Sequence, residues 1–351
     1  MNDDCLKLTT YFGERDRVGG RFVADAFSEV YARHELACSL VIRGAEGFGA
    51  KHQLRTDRLL SLSEDLPIVS VAVDSRARIE AAARDVDAIA FDGLVTLERA
   101  RMLTGRIAGT PLPADLREAA KLTIYLGRHE RIARRPAHEA VVALLHARGV
   151  AGATVLLGVD GTVHGARRRA GFFGRNADVP LMVIAIATGE RVAAVLPELG
   201  ALLAQPIVTL ERVRICKRDG DLLSAPDDVP DTDGTGLELW QKLMVYAGEQ
   251  SRFEDRSLSG ALVRALRAAG AGGATSMRGI WGYHGDHAPH GDALWQLRRR
   301  VPVVTVIVDR PQRIRELFAI VDEITRQTGL VTSEIVPGHR AGGLRLAARI
   351  P

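Results

Sequence analysis

The chain has 351 residues, 46% of them hydrophobic and 26% charged, and a formal net charge of +4. These are the values of a globular protein long enough for two or three domains, and they exclude a disordered chain or a coiled coil. Acidic residues are interspersed among the arginines, so no nucleic-acid partner is expected. Cys5, Cys38 and Cys216 are too few and too scattered for a disulfide framework or a zinc ribbon. The N-terminus MNDDCLKLTT carries no basic-then-apolar leader, and no apolar run reaches the roughly 18 residues of a membrane span. The expectation is a cytoplasmic protein without membrane insertion.

The first element in the chain, KLTTYFGERDRVGGR from Lys7, returns as KLTIYLGRHERIARR from Lys121 and as KLMVYAGEQSRFEDR from Lys242. Aligned without gaps from those lysines to Gly44, Gly158 and Gly279, the copies agree at Lys, Leu, Tyr, Gly, two Arg, Ala and the final Gly. Chance does not place so many shared residues at fixed spacing, and the chain reads as one unit repeated three times. The units are expected at 5–105, 119–219 and 240–341, with linkers at 106–118 and 220–239 that carry no core. The basic tail after Pro337 has no pattern from which to assign an element.

Within a unit, alternation in KLTTYFG predicts a strand whose Leu8, Thr10 and Phe12 face one way and Lys7, Thr9 and Tyr11 the other. A polar turn follows, then a helix on the spacing of Val23, Ala26, Phe27, Val30 and Tyr31. Next come a strand (CSLVIRG, ATVLLG, ATSMRG), a Gly-rich loop of roughly twenty residues, and a proline-led strand (PIVSVAV, PLMVIAI, PVVTVIV). A second helix and a last strand ending at Glu98, Glu211 or Glu334 complete the unit. The order βαββαβ predicts an α+β protein of three ferredoxin-like units, each an antiparallel sheet with both helices on one face. The proline-led strands of copies two and three are apolar almost without alternation, as in strands buried on both sides. The open faces therefore need a cover. The simplest is the sheets of the other two copies, in a monomer with pseudo-threefold symmetry and Tyr11, Tyr125 and Tyr246 near the axis.

Copy one, with KLTTYFGERDR, VIRGAEGFGAKHQLRTDRLLSLSEDLPIVSVAVDS and GLVTLE, resembles the domain of unknown function 190 family, which is similar in fold to the PII-type signal-transduction proteins. The resemblance implies a trimeric assembly, a long loop between the second and third strands, and clefts between units that sense a small effector. Members of that family often accompany fluoride-channel genes, which implies a transporter or channel as the regulated partner. The resemblance stops at the PII phosphate-binding turn before the last strand. That turn is Gly- and Lys-rich, whereas this chain has DAIAFDGLVTLE, LLAQPIVTLE and RQTGLVTSE. No cofactor is evident, and a nucleotide or another anionic effector is the expected ligand type.

Several side-chain sets are candidates for a site. Arg17 and Arg21, Arg131 and Arg135, and Arg252 and Arg256 recur at the strand-to-helix turn, where they either bind an anion or pair with Glu14, Glu130 or Glu249. The loop glycines Gly44, Gly47, Gly49, Gly158, Gly161, Gly165, Gly279, Gly282 and Gly285 either open backbone amides to a phosphate or serve loop flexibility alone. Arg167-Arg168-Arg169 and Arg298-Arg299-Arg300 flank the long loop as an acidic-partner surface or as a solvated face. The stretch WGYHGDHAPH offers His284, His287 and His290, with His52 and His164 in the other copies, as a metal set that needs three or four convergent ligands. Glu98, Glu211 and Glu334 are candidate acids, but no Ser, His or Cys recurs beside them, so an enzyme at inter-unit clefts ranks behind a regulatory protein and a metal-binding module.

Overall fold

Each repeat folds into the same succession of elements in the computed structural model, which describes residues 2–49, 53–56, 65–105, 107, 112–169, 179–232, 238–284, 289–291, 301–336 and 338–339. Unit 1 contains β1 (Asn2–Gly13), α1 (Val23–Arg33), β2 (Cys38–Arg43), β3 (Glu46–Phe48), β4 (Pro67–Ser75), α2 (Arg76–Asp87) and β5 (Leu94–Thr104). Unit 2 contains β6 (Ala120–Gly127), α3 (Ala137–Ala147), β7 (Gly152–Leu157), β8 (Asp160–Val163), β9 (Pro180–Ala187), α4 (Gly189–Leu202) and β10 (Ile207–Arg212), and continues into β11 (Arg214–Arg218). Unit 3 contains β12 (Trp240–Gly248), α5 (Leu258–Ala268), β13 (Ala274–Arg278), β14 (Trp281–His284), β15 (Pro302–Asp309), α6 (Pro311–Ile324) and β16 (Leu330–Val336), and continues into β17 (Gly338–His339).

The four long strands of unit 1 lie antiparallel in the order β2-β4-β1-β5. Units 2 and 3 repeat that order as β7-β9-β6-β10 and β13-β15-β12-β16. The helices follow the predicted apolar spacing: α1 buries Val23, Phe27, Val30 and Tyr31, with Asp25 in its first turn and Arg33 in its last to complement the helix dipole. Below α1 and α2 lies a private core in which Leu6, Leu8 and Phe12 meet Phe27 and Ile79. Units 2 and 3 have their own equivalents.

A further core belongs to all three units. It joins Val69, Val71 and Met102 with Tyr125, Met182 and Ile184 and with Met244, Val304 and Val306. These residues lie on the sheet faces that carry no helix, and this is why the proline-led strands lack polar alternation: every residue of β9 and β15, and all of β4 but Ser75, is buried.

Backbone pairing also passes from unit to unit in a closed circuit. The short strand β3 pairs with β13 of unit 3, β14 pairs with β7 of unit 2, and β8 pairs with β2 of unit 1. Strand extensions close a second circuit, with the end of β5 on β10, β11 on β16, and β17 on β5. The glycines Gly47, Gly161 and Gly282 sit where the short strands cross a neighbouring unit. A Cβ there would lie 2.5 Å from the Ala274 carbonyl oxygen, 2.1 Å from that of Ser39 and 2.2 Å from that of Ala153. Close backbone approach accounts for their recurrence.

Two expectations about the connecting segments differ from the structure. Segment 106–118 does carry core residues: Ile107, Leu112 and Leu116 pack into the core of unit 2, because the segment crosses α4 on its way to β6. The tail, for which no element was assigned, contributes Gly338–His339 as a strand on Val95 and Thr96.

The glycine contact yields a test. Gly161→Ala puts a methyl group against a backbone oxygen that cannot move without separating units 1 and 2, and it should destabilise the chain by about 2 kcal/mol or more, read as a lowered urea midpoint.

Candidate functional site

Three lysines and three glutamates meet at the centre of the molecule. Strand register places each lysine directly opposite its own unit's glutamate: Lys7 faces Glu98, Lys121 faces Glu211 and Lys242 faces Glu334. Each ammonium then reaches on to the glutamate of another unit. Lys7 Nζ bonds Glu98 Oε2 at 2.6 Å and Glu211 Oε2, Lys121 Nζ bonds Glu211 Oε2 at 2.9 Å and Glu334 Oε2 at 2.5 Å, and Lys242 Nζ bonds Glu334 Oε2 at 2.9 Å and Glu98 Oε2 at 2.6 Å. The result is a closed ring of alternating charge whose members are at most 7% exposed.

Each charge in the ring has two opposite neighbours, and this decides the protonation states. Burial alone would drive the Glu98 and Glu334 carboxyls up, but Lys242, Lys7 and Lys121 overcome it for Glu98, and Lys121 and Lys242 for Glu334, so both stand below the usual carboxylate range. Burial would likewise lower the lysines, and Glu211 with Glu98 reverses this for Lys7, while Glu334 with Glu98 does so for Lys242. Lys121 ends below its ordinary value, because burial and the other two ammonium groups outweigh its glutamates. Thr9 and Thr96 give hydroxyl hydrogen bonds to Glu98 Oε1 at 3.1 and 3.3 Å, and Thr209 to Glu211 Oε1 at 3.5 Å. Unit 3 has Met244 at the position of Thr9, and Glu334 Oε1 is buried without a partner. Tyr11, Tyr125 and Tyr246 lie on the ring's face of the sheets, and burial pushes each hydroxyl up, with the ring charges acting on each next.

The three glutamates are also the group, among the described residues, whose ligand atoms come close enough for a metal, within 4.8 Å of one another. The lysine ammonium groups already bond those oxygens, so the donor set serves the ring. No histidine belongs to it. His164 is exposed, His284 and His290 are half-buried, and His52 and His287 lie outside the described residues. Burial raises the thiols of Cys5 and Cys216 to about 12 and that of Cys38 higher still, so none is a ready thiolate.

The recurrent arginines close their own turns. Arg17 and Arg131 each donate at 2.9 Å, and Arg252 at 3.5 Å, to the carbonyl three residues on, and Arg17 also stacks 4.0 Å from the Phe22 ring centre. Arg21 pairs with Glu29 and Arg135 with Glu139, while Arg256 is exposed. The glutamates expected as partners are engaged elsewhere: Glu14 with Arg43, Glu249 with Arg278, and Glu130 with the Gly127 amide. Gly44, Gly158 and Gly279 pack against the carbonyls of Pro67, Pro180 and Pro302, while Gly49 is exposed with open space around it. Gly165, half-buried and at positive φ, closes the hairpin after β8. Gly285 and Arg298-Arg299-Arg300 fall outside the described residues, as do the side chains of Arg167-Arg168-Arg169 in the short strand Ala166–Arg169.

The molecule also has a cleft that could admit a ligand. A cavity of about 440 Å³ lies on the seam between units 1 and 3. Unit 1 supplies the end of β1 (Tyr11, Phe12, Gly13), the start of the long loop (Phe48, Gly49, Gln53, Arg55) and the turn Asp92-Gly93; unit 3 supplies Gly272-Gly273, Trp240 and the β15 residues Val306, Val308 and Asp309. Its size, and walls that combine apolar and aromatic side chains with charged ones, are those of a small-molecule site. Asp309 accepts the Gly272 amide at 2.8 Å, and Arg55 pairs with Asp65 at 2.8 Å.

Each of the three units matches the same family. The chain belongs to the family described as "Uncharacterized ACR" (DUF190), which matches it three times, at residues 5–102, 119–215 and 240–337. A "UPF0166 protein" of Aquifex aeolicus (strain VF5) is 32% identical over 95 residues, which is 27% of this chain and 88% of that protein, so that relative has about the length of one unit. No helix among the described residues is long and apolar enough to cross a membrane.

Removing one member of the ring strands two buried partners. Lys121→Met should cost about 3–5 kcal/mol, whereas Lys121→Met combined with Glu334→Gln should cost less than the sum of the single changes, read by a double-mutant cycle of urea midpoints. The glutamates also set an acid limb. Because Glu98 and Glu334 have folded values below the unfolded value of about 4.3, their contribution is complete above that pH and is lost as pH falls through the folded values. The urea midpoint should therefore drop steeply below about pH 4 and less steeply in Glu98→Gln.

Proposed function

We propose that the chain is a PII-like regulatory protein: three ferredoxin-like units closed into an intrachain pseudo-trimer, which binds a small effector on an inter-unit seam and controls a partner such as a transporter or channel. The observation that carries this reading is the cavity between units 1 and 3, where the start of the long loop forms part of the wall. A ligand there touches Gln53 and Arg55 directly, so binding changes the chain at the point where it enters the loop. The strand circuits and the lysine–glutamate ring support a rigid frame around that cavity, and the length of the Aquifex aeolicus relative supports a unit that assembles by repetition. In a cytoplasmic setting such a protein reports on a metabolite by docking or releasing its partner.

Native chain purified from its host should carry a small molecule detectable by mass spectrometry, and adding back that molecule should raise the unfolding free energy by about 2.7 kcal/mol at a hundredfold excess over its Kd. Stabilisation by zinc or copper ions, with none from any organic molecule, would replace this reading with a histidine metal module.

A further inference from the structure

The three seams are equivalent position by position, yet they are not equally open. Phe48, Gly49, Gly93 and Gly273 of the seam between units 1 and 3 correspond to Tyr283, His284, Gly329 and Gly152 of the seam between units 3 and 2. On the seam between units 2 and 1 the same places hold Thr162, Val163, Pro206 and Cys38. Three glycines have become Val, Pro and Cys, and the neighbouring Thr162, Leu40, Ser39 and Tyr125 are all at most 2% exposed. There the Ser39 and Thr162 hydroxyls bond each other at 2.9 Å, and the seam is filled with side chains. Between units 3 and 2 a cavity of only about 50 Å³ remains. The end of β11 and the turn after it form part of its wall: Arg218 pairs with Leu330, and the Asp219 amide donates to the Gly329 carbonyl at 2.8 Å.

Charge on the open seam narrows the ligand class. Asp16, Asp92 and Asp309 line the cavity. The cation among the described lining residues, Arg55, already faces Asp65, and the lysines of the central ring are satisfied by their glutamates. Among the described lining residues, a phosphate entering this site meets the carboxylates of Asp16 and Asp309, each accepting from a backbone amide, and no uncommitted cation. Tyr11 and Trp240, both only half-buried, give aromatic surface suited to a flat ring, and the glycines Gly93, Gly272 and Gly273 bring backbone to the cavity wall.

We infer that each chain binds a single ligand, on the seam between units 1 and 3, and that this ligand is a planar heteroaromatic amine, neutral or cationic, without a phosphate. The inference rests on the reading of the seams as effector sites, and narrows the expectation of an anionic effector to its opposite. It also assigns a role to the fusion of three units: a trimer of identical chains presents three identical seams, whereas a tandem chain can keep one and fill the rest.

Isothermal titration of the full chain with adenosine, guanosine and cytidine, each compared with its mono- and triphosphate, tests the inference. Binding is expected for at least one nucleoside at one molecule per chain, weakened by about tenfold or more on phosphorylation. Gly49→Val installs the side chain that the filled seam carries; open space around Gly49 accommodates it, so the melting temperature should hold while binding is lost. His284→Val, the same change on the narrow seam, should leave binding unaltered. Two or three molecules per chain, or tighter binding of a phosphorylated form, would overturn the inference and leave the seam reading standing. Failure of every compound, phosphorylated or not, would overturn the seam reading itself.

Discussion

The alternating ring of Lys7, Glu98, Lys242, Glu334, Lys121 and Glu211 is the constraint on which the arrangement of the units depends. Six ionised groups taken from water cost several kcal/mol each, and the attraction between them returns that only if every charge keeps its neighbours. An apolar set of similar volume would be at least as stable. The ring supplies register instead. A slip of one residue along β1 would put Leu6 or Leu8, buried among the helix contacts of unit 1, in the place of Lys7, and would leave Glu98 and Glu211 facing hydrocarbon. Because each lysine bonds a glutamate of its own unit and one of another, no pair of sheets can settle into register alone.

Around that centre the strands do for the backbone what the ring does for the side chains. Each short strand after the second long strand leaves its own sheet to extend another unit's, and the circuit closes after three steps. Edge strands that would otherwise expose unpaired amides and carbonyls are covered in this way. The helix-side cores are built on the two helices and one sheet face of each unit, with Ile107, Leu112, Leu116 and Tyr283 added in unit 2 and Phe48 and Cys216 in unit 3. The shared core cannot form until all three units are present, and it is there that the apolar runs of β4, β9 and β15 are used.

Much of this was legible in the sequence because it depends on period and repetition. Helix spacing, the βαββαβ order and the absence of alternation in PLMVIAI and PVVTVIV all follow from which faces are buried. Alternation in KLTTYFG puts the lysine on the helix-free face, and the glutamate closes the last strand of every unit. Their pairing is not legible, since it requires the register of β1 against β5, β6 against β10 and β12 against β16, which no local pattern gives. A strand lysine flanked by apolar residues and repeated with a matching glutamate was the available signal. The paired arginines and loop glycines were legible as recurrences but not as roles: Arg17 holds its own turn at Gly20, and Gly161 holds off the Ser39 carbonyl. The core residues Ile107, Leu112 and Leu116 were hidden by their setting among prolines and glycines, where composition alone reads as linker.

Clefts between units are expected from the resemblance, but which seam stays open was not legible, for a reason that also explains what three copies in one chain make available. Recurrence exposes what every unit must do, and the ring, the crossing glycines and the turn arginines all recur. A site present on one seam leaves its trace where the copies disagree. Gly49, Val163 and His284 occupy one position of the repeat, as do Gly93, Pro206 and Gly329, and Trp240 stands where the other copies have Cys5 and Ala119. In a trimer of identical chains a residue that fills one seam fills all, so an open seam and a packed one cannot coexist. Covalent linkage removes that restriction: the seam between units 2 and 1 can be packed with Val163 and Pro206 for stability while the one between units 1 and 3 keeps its glycines. The agreement among copies thus marks the frame, and their disagreement marks the seam that stays open.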